Sequence, residues 1–406
     1  MSGLDLWLYG TPVASVTVER RSRARMTFGS EAIERWGLGS RILTVAEPLT
    51  TDVLPPGRTA VILEGLLPEG DALATLENLF GAAPTDLLAS IGRETLGAVT
   101  VLSTGEDLPG HGSVPLGPEL SGEDIADRIR GLTARPLGVS PGTPVRLSLP
   151  GAQPKLPLHR IDGFYFDPTT DHPSTVIVKP EPGEWPRLVE LEAWGLEVLA
   201  AAGVPTPNWE IASFEGIPAL VVQRFDRVFE DGGFRRIHQE DLCMAVGARP
   251  GEKYATSSRS ATSLARMATA VYQNVDDPDQ DLDRFVRVVV ANVAIGNCDG
   301  HARNLGLLHP DDGTTQLAPA YDVIPTYHYR GHDEILAQTV DGQQMRPETV
   351  NWEHLHAEVG TWRIRGAEEH LRDAVVAVRE AVHTVGPPPD SPSVSELMAD
   401  VQRLLP

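Results

Sequence analysis

The way apolar spacing changes along the chain limits its fold more than any other feature. From Leu4 to about Val101, apolar residues come in short runs, Leu6 to Tyr9, Val13 to Val18 and Thr59 to Leu63, separated by Gly, Pro and Thr. That pattern predicts strand-rich structure. Thr104 to Asp124 is full of turn formers and too poor in apolar residues for a core of its own, which sets a boundary near residue 105. Beyond it, VRLSL (Val145 to Leu149), GFYF (Gly163 to Phe166), STVIVKP (Ser174 to Pro180) and PALVVQRF (Pro218 to Phe225) read as strands of a twisted antiparallel sheet. Helical spacing starts at Arg187, where Leu188, Leu191, Gly195, Val198 and Leu199 share a face and Gly203 supplies a stop.

After Phe225 the spacing predicts a mostly helical segment, with stripes at Phe285, Val288, Val289, Asn292 and Val293 and at Leu371, Val375, Val378 and Val382. A last amphipathic helix, SVSELMADVQRLL, opens on a Ser-x-x-Glu cap at Ser393 or Ser395. The expectation is an α+β fold in three parts: a small β-rich subdomain over 1–105, a strand-rich lobe over 106–225 and a helical lobe over 226–406. Such a two-lobed outline can hold a nucleotide, but many enzymes share it.

Composition removes several function classes. The 34 basic and 56 acidic residues leave a formal net charge of -22, which repels phosphate backbones and argues against direct, unaided binding of nucleic acid. Cys243 and Cys298 make neither a disulfide framework nor a CxxC metal ladder, and a reducing cytoplasm suits them. Asp5 precedes any basic residue, unlike a secretory signal, and the greasiest run, Val288 to Gly296, falls far short of a membrane span. No HExxH or comparable histidine set suggests zinc, and no Walker-A pattern suggests a P-loop.

The most informative segment is NCDGHARNLGLLH, Asn297 to His309. Its polar cluster follows an amphipathic helix and precedes an apolar strand, which places Asp299, His301 and Asn304 on a loop. Phosphoryl transfer to a hydroxyl needs a carboxylate that orients and accepts the attacking proton, and an amide oxygen five residues on that helps to hold Mg2+. Asp299 and Asn304 have that spacing. Asp322, in LAPAYDVIP, follows a plausible hairpin turn, HPDDG, that would fold a second carboxylate back beside the loop. The alternative is a polar turn and a capping aspartate without chemistry.

Lys179 ends the apolar run TVIVKP and is one of three lysines in the chain, with Lys155 and Lys253. It is a candidate for the α- and β-phosphates of ATP, or else a strand-end lysine reaching into water. SLPGAQPK, Ser148 to Lys155, gives a strand and a tight Gly turn whose backbone N–H groups can cradle phosphate, or a simple hairpin. Glu192 could pair with Lys179 or lie exposed on its helix. QRFDR, from Gln223, offers backbone groups to an adenine edge or is only a linker. Cys298 reads as a small buried residue.

These motifs, in this order, resemble the HipA family of bacterial toxin kinases. RLSLPGAQPK resembles the family's phosphate loop, which implies nucleotide contact by Pro150, Gly151, Ala152, Gln153 and Lys155, and autophosphorylation on Ser148 that swings the loop out and switches the kinase off. VIVKP matches the strand lysine, Lys179, and QRFDR the hinge, so Gln223, Arg224 and Phe225 would bind adenine. NCDGHARN implies Asp299 as catalytic base, His301 as loop support and Asn304 as metal ligand; AYDV adds Tyr321 beside the nucleotide and Asp322 on Mg2+. HQED, His238 to Asp241, LEGLLPEG and GAVTVL also resemble family segments. Pro150 and Pro154 depart from the pattern, since Pro150 has no N–H to donate, and Gln223 stands where relatives often have glutamate.

The resemblance further implies a protein serine/threonine kinase acting on a protein such as an aminoacyl-tRNA synthetase, paired with a helix-turn-helix antitoxin of HipB type through which it meets DNA. A small-molecule kinase and an inactive pseudokinase corepressor are the alternatives, separated by whether label from ATP enters protein, metabolite or neither.

Overall fold

The computed structural model describes residues 3–19, 23–108, 115–139, 147–149, 153–230, 233–329, 331, 334–388 and 390–406. The chain forms two compact units, one from Met1–Pro182, Asn208–Glu240 and Leu308–Gly313, the other from Gly183–Pro207, Asp241–Leu307 and Thr314–Pro406. Helices and antiparallel sheets are both present, as an α+β chain requires.

The first unit opens with strands β1 (Leu4–Leu8), β2 (Thr11–Val18) and β3 (Ala24–Phe28), which join β4 (Thr100–Ser103) in an antiparallel sheet of order β3-β2-β1-β4. Period-2 alternation buries Leu4, Leu6 and Leu8 on one face of β1. Helices α1 (Ser30–Trp36), α2 (Pro56–Gly65), α3 (Gly70–Phe80) and α4 (Pro84–Ile91) intervene between β3 and β4. They correct the strand-rich expectation for this region. Thr59 to Leu63 lies in α2, because a short run of four apolar residues after Thr59 fits a buried helix as well as a strand, and Pro56 at the first turn starts the helix.

After α5 (Gly122–Arg130), a five-stranded sheet forms from β5 (Leu156–Ile161), β6 (Phe164–Phe166), β7 (Val176–Pro180), β8 (Trp209–Phe214) and β9 (Ile217–Gln223), in the order β6-β5-β7-β9-β8. GFYF, STVIVKP and PALVVQRF supply β6, β7 and β9, while β5 and β8 add to the expected strands. VRLSL does not join them: Val145 and Arg146 lie outside the described residues, Leu147 makes only an isolated bridge to Glu94, and Ser148 bonds to the Glu94 and Leu66 carbonyls in place of a strand ladder. Leu156, Leu158, Val176, Val178, Ala219 and Val221 share a core with Ile125, Ala126 and Ile129 of α5. The chain does not become helical directly after Phe225. β10 (Arg227–Glu230) and β11 (Gly233–Arg236) make a hairpin, and β12 (His238–Asp241) follows. The hairpin is charged and half-exposed, and β12 is polar although fully buried, so neither carries an apolar stripe from which its strands could be read.

The second unit is built on α6 (Leu188–Ala201), α7 (Leu242–Ala245), α8 (Leu264–Asn274), α9 (Pro278–Ile295), α10 (Trp352–Thr361), α11 (Ala367–Val385) and α12 (Pro392–Ala399). Short strands β13 (Gly306–His309) and β14 (Gln316–Leu317) flank the expected turn at Pro310 to Gly313. The predicted stripes on α9 and α11 are buried, apart from the half-buried Asn292, and pack together, each fully buried Val or Leu contributing about 1.5–3 kcal/mol. α12 starts earlier than the Ser-x-x-Glu pattern suggested. Its N-cap is Ser391 with Pro392 in the first turn, so Ser393 and Ser395 are helical, because proline's fixed φ preorganises that turn. Among the described residues, no helix is long and apolar enough to cross a membrane.

Candidate active site

The polar loop after α9 is fixed by the way that helix ends. Asp277 caps its start, accepting from the Gln280 N–H, and Gly296 ends it in the left-handed region at φ +74°. A Cβ at Gly296 would come within 2.6 Å of the Tyr327 side chain, so glycine serves both the turn and the packing. The Asn297 N–H donates to the Asn292 carbonyl at 2.8 Å, and Asn297 Oδ1 accepts from the Asp299 N–H at 3.2 Å. The His301 N–H and Asn304 Nδ2 both donate to the Asp299 carbonyl, at 2.7 and 2.8 Å. The five-residue spacing is therefore a physical contact: the Asn304 amide closes the loop onto Asp299. With its nitrogen so engaged, the Asn304 amide keeps its Oδ1 as the atom that could serve a cation.

Three more contacts support the loop, from two segments without an assigned chemical role. The Arg303 guanidinium, buried, donates to Asp241 Oδ2 at 2.8 Å, and Asp241 Oδ1 caps α7 by accepting from the Met244 N–H. The Ala302 N–H donates to the Lys253 carbonyl, and the next residue, Tyr254, donates its hydroxyl to Asp299 Oδ1 at 2.7 Å. HQED was visible as a motif, but nothing in the sequence tied its aspartate to Arg303, and Tyr254 had no signal at all.

Asp322 reaches the same neighbourhood through its flanks. The Tyr321 hydroxyl donates to the Arg303 carbonyl at 2.9 Å, and the Ala320 N–H to the Pro205 carbonyl at 2.8 Å. On the far side, the Val323 carbonyl lies against α6 where Gly195 has no side chain; a Cβ there would sit 2.0 Å from that oxygen. Asp322 itself adopts φ +54°, a left-handed conformation that aspartate tolerates better than most residues and that is held here by its neighbours. Gly195→Ala is expected to lower stability by about 1–3 kcal/mol, the backbone clash outweighing the roughly 1 kcal/mol that alanine gains in a helix. Urea unfolding measures the balance, and a stabilised variant would show that the Val323 segment is free to slide.

Asn304 Oδ1 and the Asp322 carboxylate are hard oxygen donors on closely tied segments, a set that suits Mg2+, which usually takes one or two protein ligands and fills its shell with water and phosphate oxygens. His301, within the loop, is buried, its ring edge-on to Tyr254 at 5.2 Å. Cys298 is buried against Tyr327 and Leu397, as a small core residue. Glu192 is buried on α6, so the exposed alternative does not hold.

In the first unit, Lys179 is only 5% exposed on β7, on the face opposite Val178, so it does not reach into water. Lys155 is buried at the start of β5, and Gln153 is half-buried. Pro150, Gly151 and Ala152 lie outside the described residues. Ser148 is fully buried, its N–H on the Glu94 carbonyl and its hydroxyl on the Leu66 carbonyl at 2.5 Å. The backbone N–H groups of Gln223 and Arg224 bond to Asn208 and Thr175, and Phe225 is half-buried.

The Arg224 side chain belongs to a buried network that the sequence did not reveal. It pairs with Asp226 at 2.7 Å and Glu94 at 3.3 Å, while Arg227 pairs with Glu94 at 2.9 Å and Asp226 at 3.1 Å. Ser174 and the Gly97 N–H complete it. Burial alone would raise both carboxyls, yet the guanidiniums beside them hold Glu94 and Asp226 below their ordinary values.

A HipA N-terminal domain model matches residues 4–102 and a HipA-like C-terminal domain model residues 147–385. The chain belongs to the HipA family. Two Sinorhizobium fredii proteins are similar over most of their length: Y4mE, 30% identical over 338 residues, and Y4dM, 28% identical over 354, each alignment covering 80% of this chain and 78% of the relative. Their names mark both provisionally as kinases. Among solved structures, a chain from the Shewanella oneidensis MR-1 toxin-antitoxin complex of HipA, HipB and operator DNA superposes with a TM-score of 0.80, at 23% identity, covering 99% of this chain and 97% of that one. That likeness bears on the fold.

Proposed function

We propose that this chain is an ATP- and Mg2+-dependent protein serine/threonine kinase, the toxin of a toxin-antitoxin pair. The observation that supports the reading most is the closure of Asn304 onto the Asp299 carbonyl, with Tyr321, the neighbour of Asp322, bonded to the Arg303 carbonyl of the same loop. The family and the kinase names of its relatives support it.

In this reading Asp299 orients an acceptor serine and takes its proton as the serine oxygen attacks the γ-phosphorus. The bond from that phosphorus to the β,γ-bridging oxygen breaks, ADP leaves, and phosphoserine forms. Asn304 and Asp322 would hold Mg2+, which supplies charge neutralisation on the phosphates when bound. Lys179 serves the α- and β-phosphates; Lys155, Gln153 and the loop Pro150 to Ala152 serve the phosphate tail; Gln223 to Phe225 present to adenine the backbone groups that remain beyond the engaged Gln223 and Arg224 N–H groups, while the Arg224 side chain stays in its ion network. His301 supports the loop from within.

Ser148 is the autophosphorylation site, and because its hydroxyl is buried on Leu66, modification requires release from Leu66 and Glu94 and so would not return to the same packing. The protein substrate is of the aminoacyl-tRNA synthetase kind. A helix-turn-helix antitoxin of HipB type is the partner, and DNA is met chiefly through it, in keeping with the acidic charge. The setting is the cytoplasm, where two free buried cysteines stay reduced.

Purified chain, radiolabelled ATP and cell lysate test the reading together with growth on expression. Label in protein, including Ser148, with growth arrest is the expected result. Label in metabolites alone would mark a small-molecule kinase, and no turnover with unchanged growth and retained partner binding a corepressor.

A further inference from the structure

The backbone of Asp299 is held on three sides, by Asn297 Oδ1, the His301 N–H and Asn304 Nδ2. None of these touches the carboxylate. A base must nevertheless present one oxygen along the line of the incoming hydroxyl, and an aspartate side chain has a broad, nearly two-fold torsion that backbone contacts do not set. The Tyr254 hydroxyl does touch the carboxylate, donating to Oδ1 at 2.7 Å. His301 Nε2 approaches the same oxygen at 3.9 Å, so the contacts from Tyr254 and His301 both fall on Oδ1. The carboxylate stays 43% exposed and accessible to an acceptor.

Tyr254 is itself placed with care. Its ring stands edge-on to His301 at 5.2 Å, the Lys253 ammonium lies 5.1 Å from the ring centroid, and the Lys253 carbonyl accepts the loop's Ala302 N–H at 3.2 Å. The phenol is thus tied to the catalytic loop by backbone, ring and hydroxyl, although it is 45 residues away in sequence.

We propose that Tyr254 is a positioning residue for phosphoryl transfer: its hydroxyl pins one oxygen of Asp299 so that the carboxylate turns its other oxygen to the acceptor. This rests on the kinase reading above. The role is orientation, so it acts on the chemical step and leaves nucleotide binding alone.

Tyr254→Phe removes the hydroxyl and keeps the ring against His301 and Lys253. The assay measures label from radiolabelled ATP incorporated per full-length chain over time, at saturating and limiting ATP, beside the thermal unfolding midpoint. The expected result is a rate at saturating ATP lowered about tenfold, with the half-saturating ATP concentration within about twofold of wild type and the midpoint unchanged. An unchanged or raised rate overturns the proposal, since the hydroxyl is then a bystander or obstructs the acceptor. A lowered rate that comes with a lowered midpoint, or with weaker ATP saturation, also overturns it, because the hydroxyl then serves the fold or the nucleotide. Wild-type chain that incorporates no label sinks the kinase reading itself, before any variant is compared.

Discussion

Asp299→Ala is expected to lower protein phosphorylation by about 10²–10⁴-fold, the range over which a positioned general base contributes, while the fold survives. The two halves of this expectation have separate grounds. The side chain is 43% exposed, so its removal opens no cavity and strands no buried charge. The loop is held through the Asp299 backbone, by Asn297, His301 and Asn304, and those contacts remain when the carboxylate is gone. Phosphopeptide yield and growth arrest, read beside a thermal unfolding curve, check both halves. Undiminished transfer in a folded variant would move the base elsewhere and remove the chemical role assigned to this loop.

Glu94→Ala is expected to cost about 3–5 kcal/mol of stability, the usual penalty for removing one side of a buried ion pair. The carboxylate is shared by Arg224 and Arg227 and also accepts from the Ser174 hydroxyl at 2.6 Å; without it, two buried guanidiniums share Asp226 alone. The same network makes stability depend on pH. Glu94 and Asp226 have folded-state pKa values below their ordinary 4.5 and 3.8, so the unfolded chain binds protons first as pH falls. Their stabilisation is therefore complete above about pH 4.5 and is lost below it as pH falls towards the folded values, at up to about 1.4 kcal/mol per pH unit for each group. Urea midpoints across this window should fall less steeply in Glu94→Gln than in wild type; an equal slope would show that the network does not set the acid limb.

The spacing of residues within one segment was legible in the sequence because it follows from backbone geometry. Asp299 and Asn304 stand between α9 and β13, where a polar cluster between apolar stretches placed their loop, and the α9 and α11 stripes pack as their period required. Short apolar runs were less legible. Thr59 to Leu63 suits either secondary structure until Pro56 is given weight, and the hairpin after Phe225 has no stripe to betray it.

By itself, then, the sequence determined the α+β class, the family motifs and the loop that brings an acid and an amide together, since each depends on neighbours within a few residues. Only the tertiary structure decided that Tyr254 reaches Asp299, that Asp241 holds Arg303, that Gly195 makes room for Val323, and that Glu94 neutralises Arg224 and Arg227. Those contacts join residues tens to more than a hundred positions apart, where a tyrosine, an aspartate or a glycine looks the same whether it faces water or another chain segment. Burial gives them their energy and their meaning, and burial is a property of the folded chain.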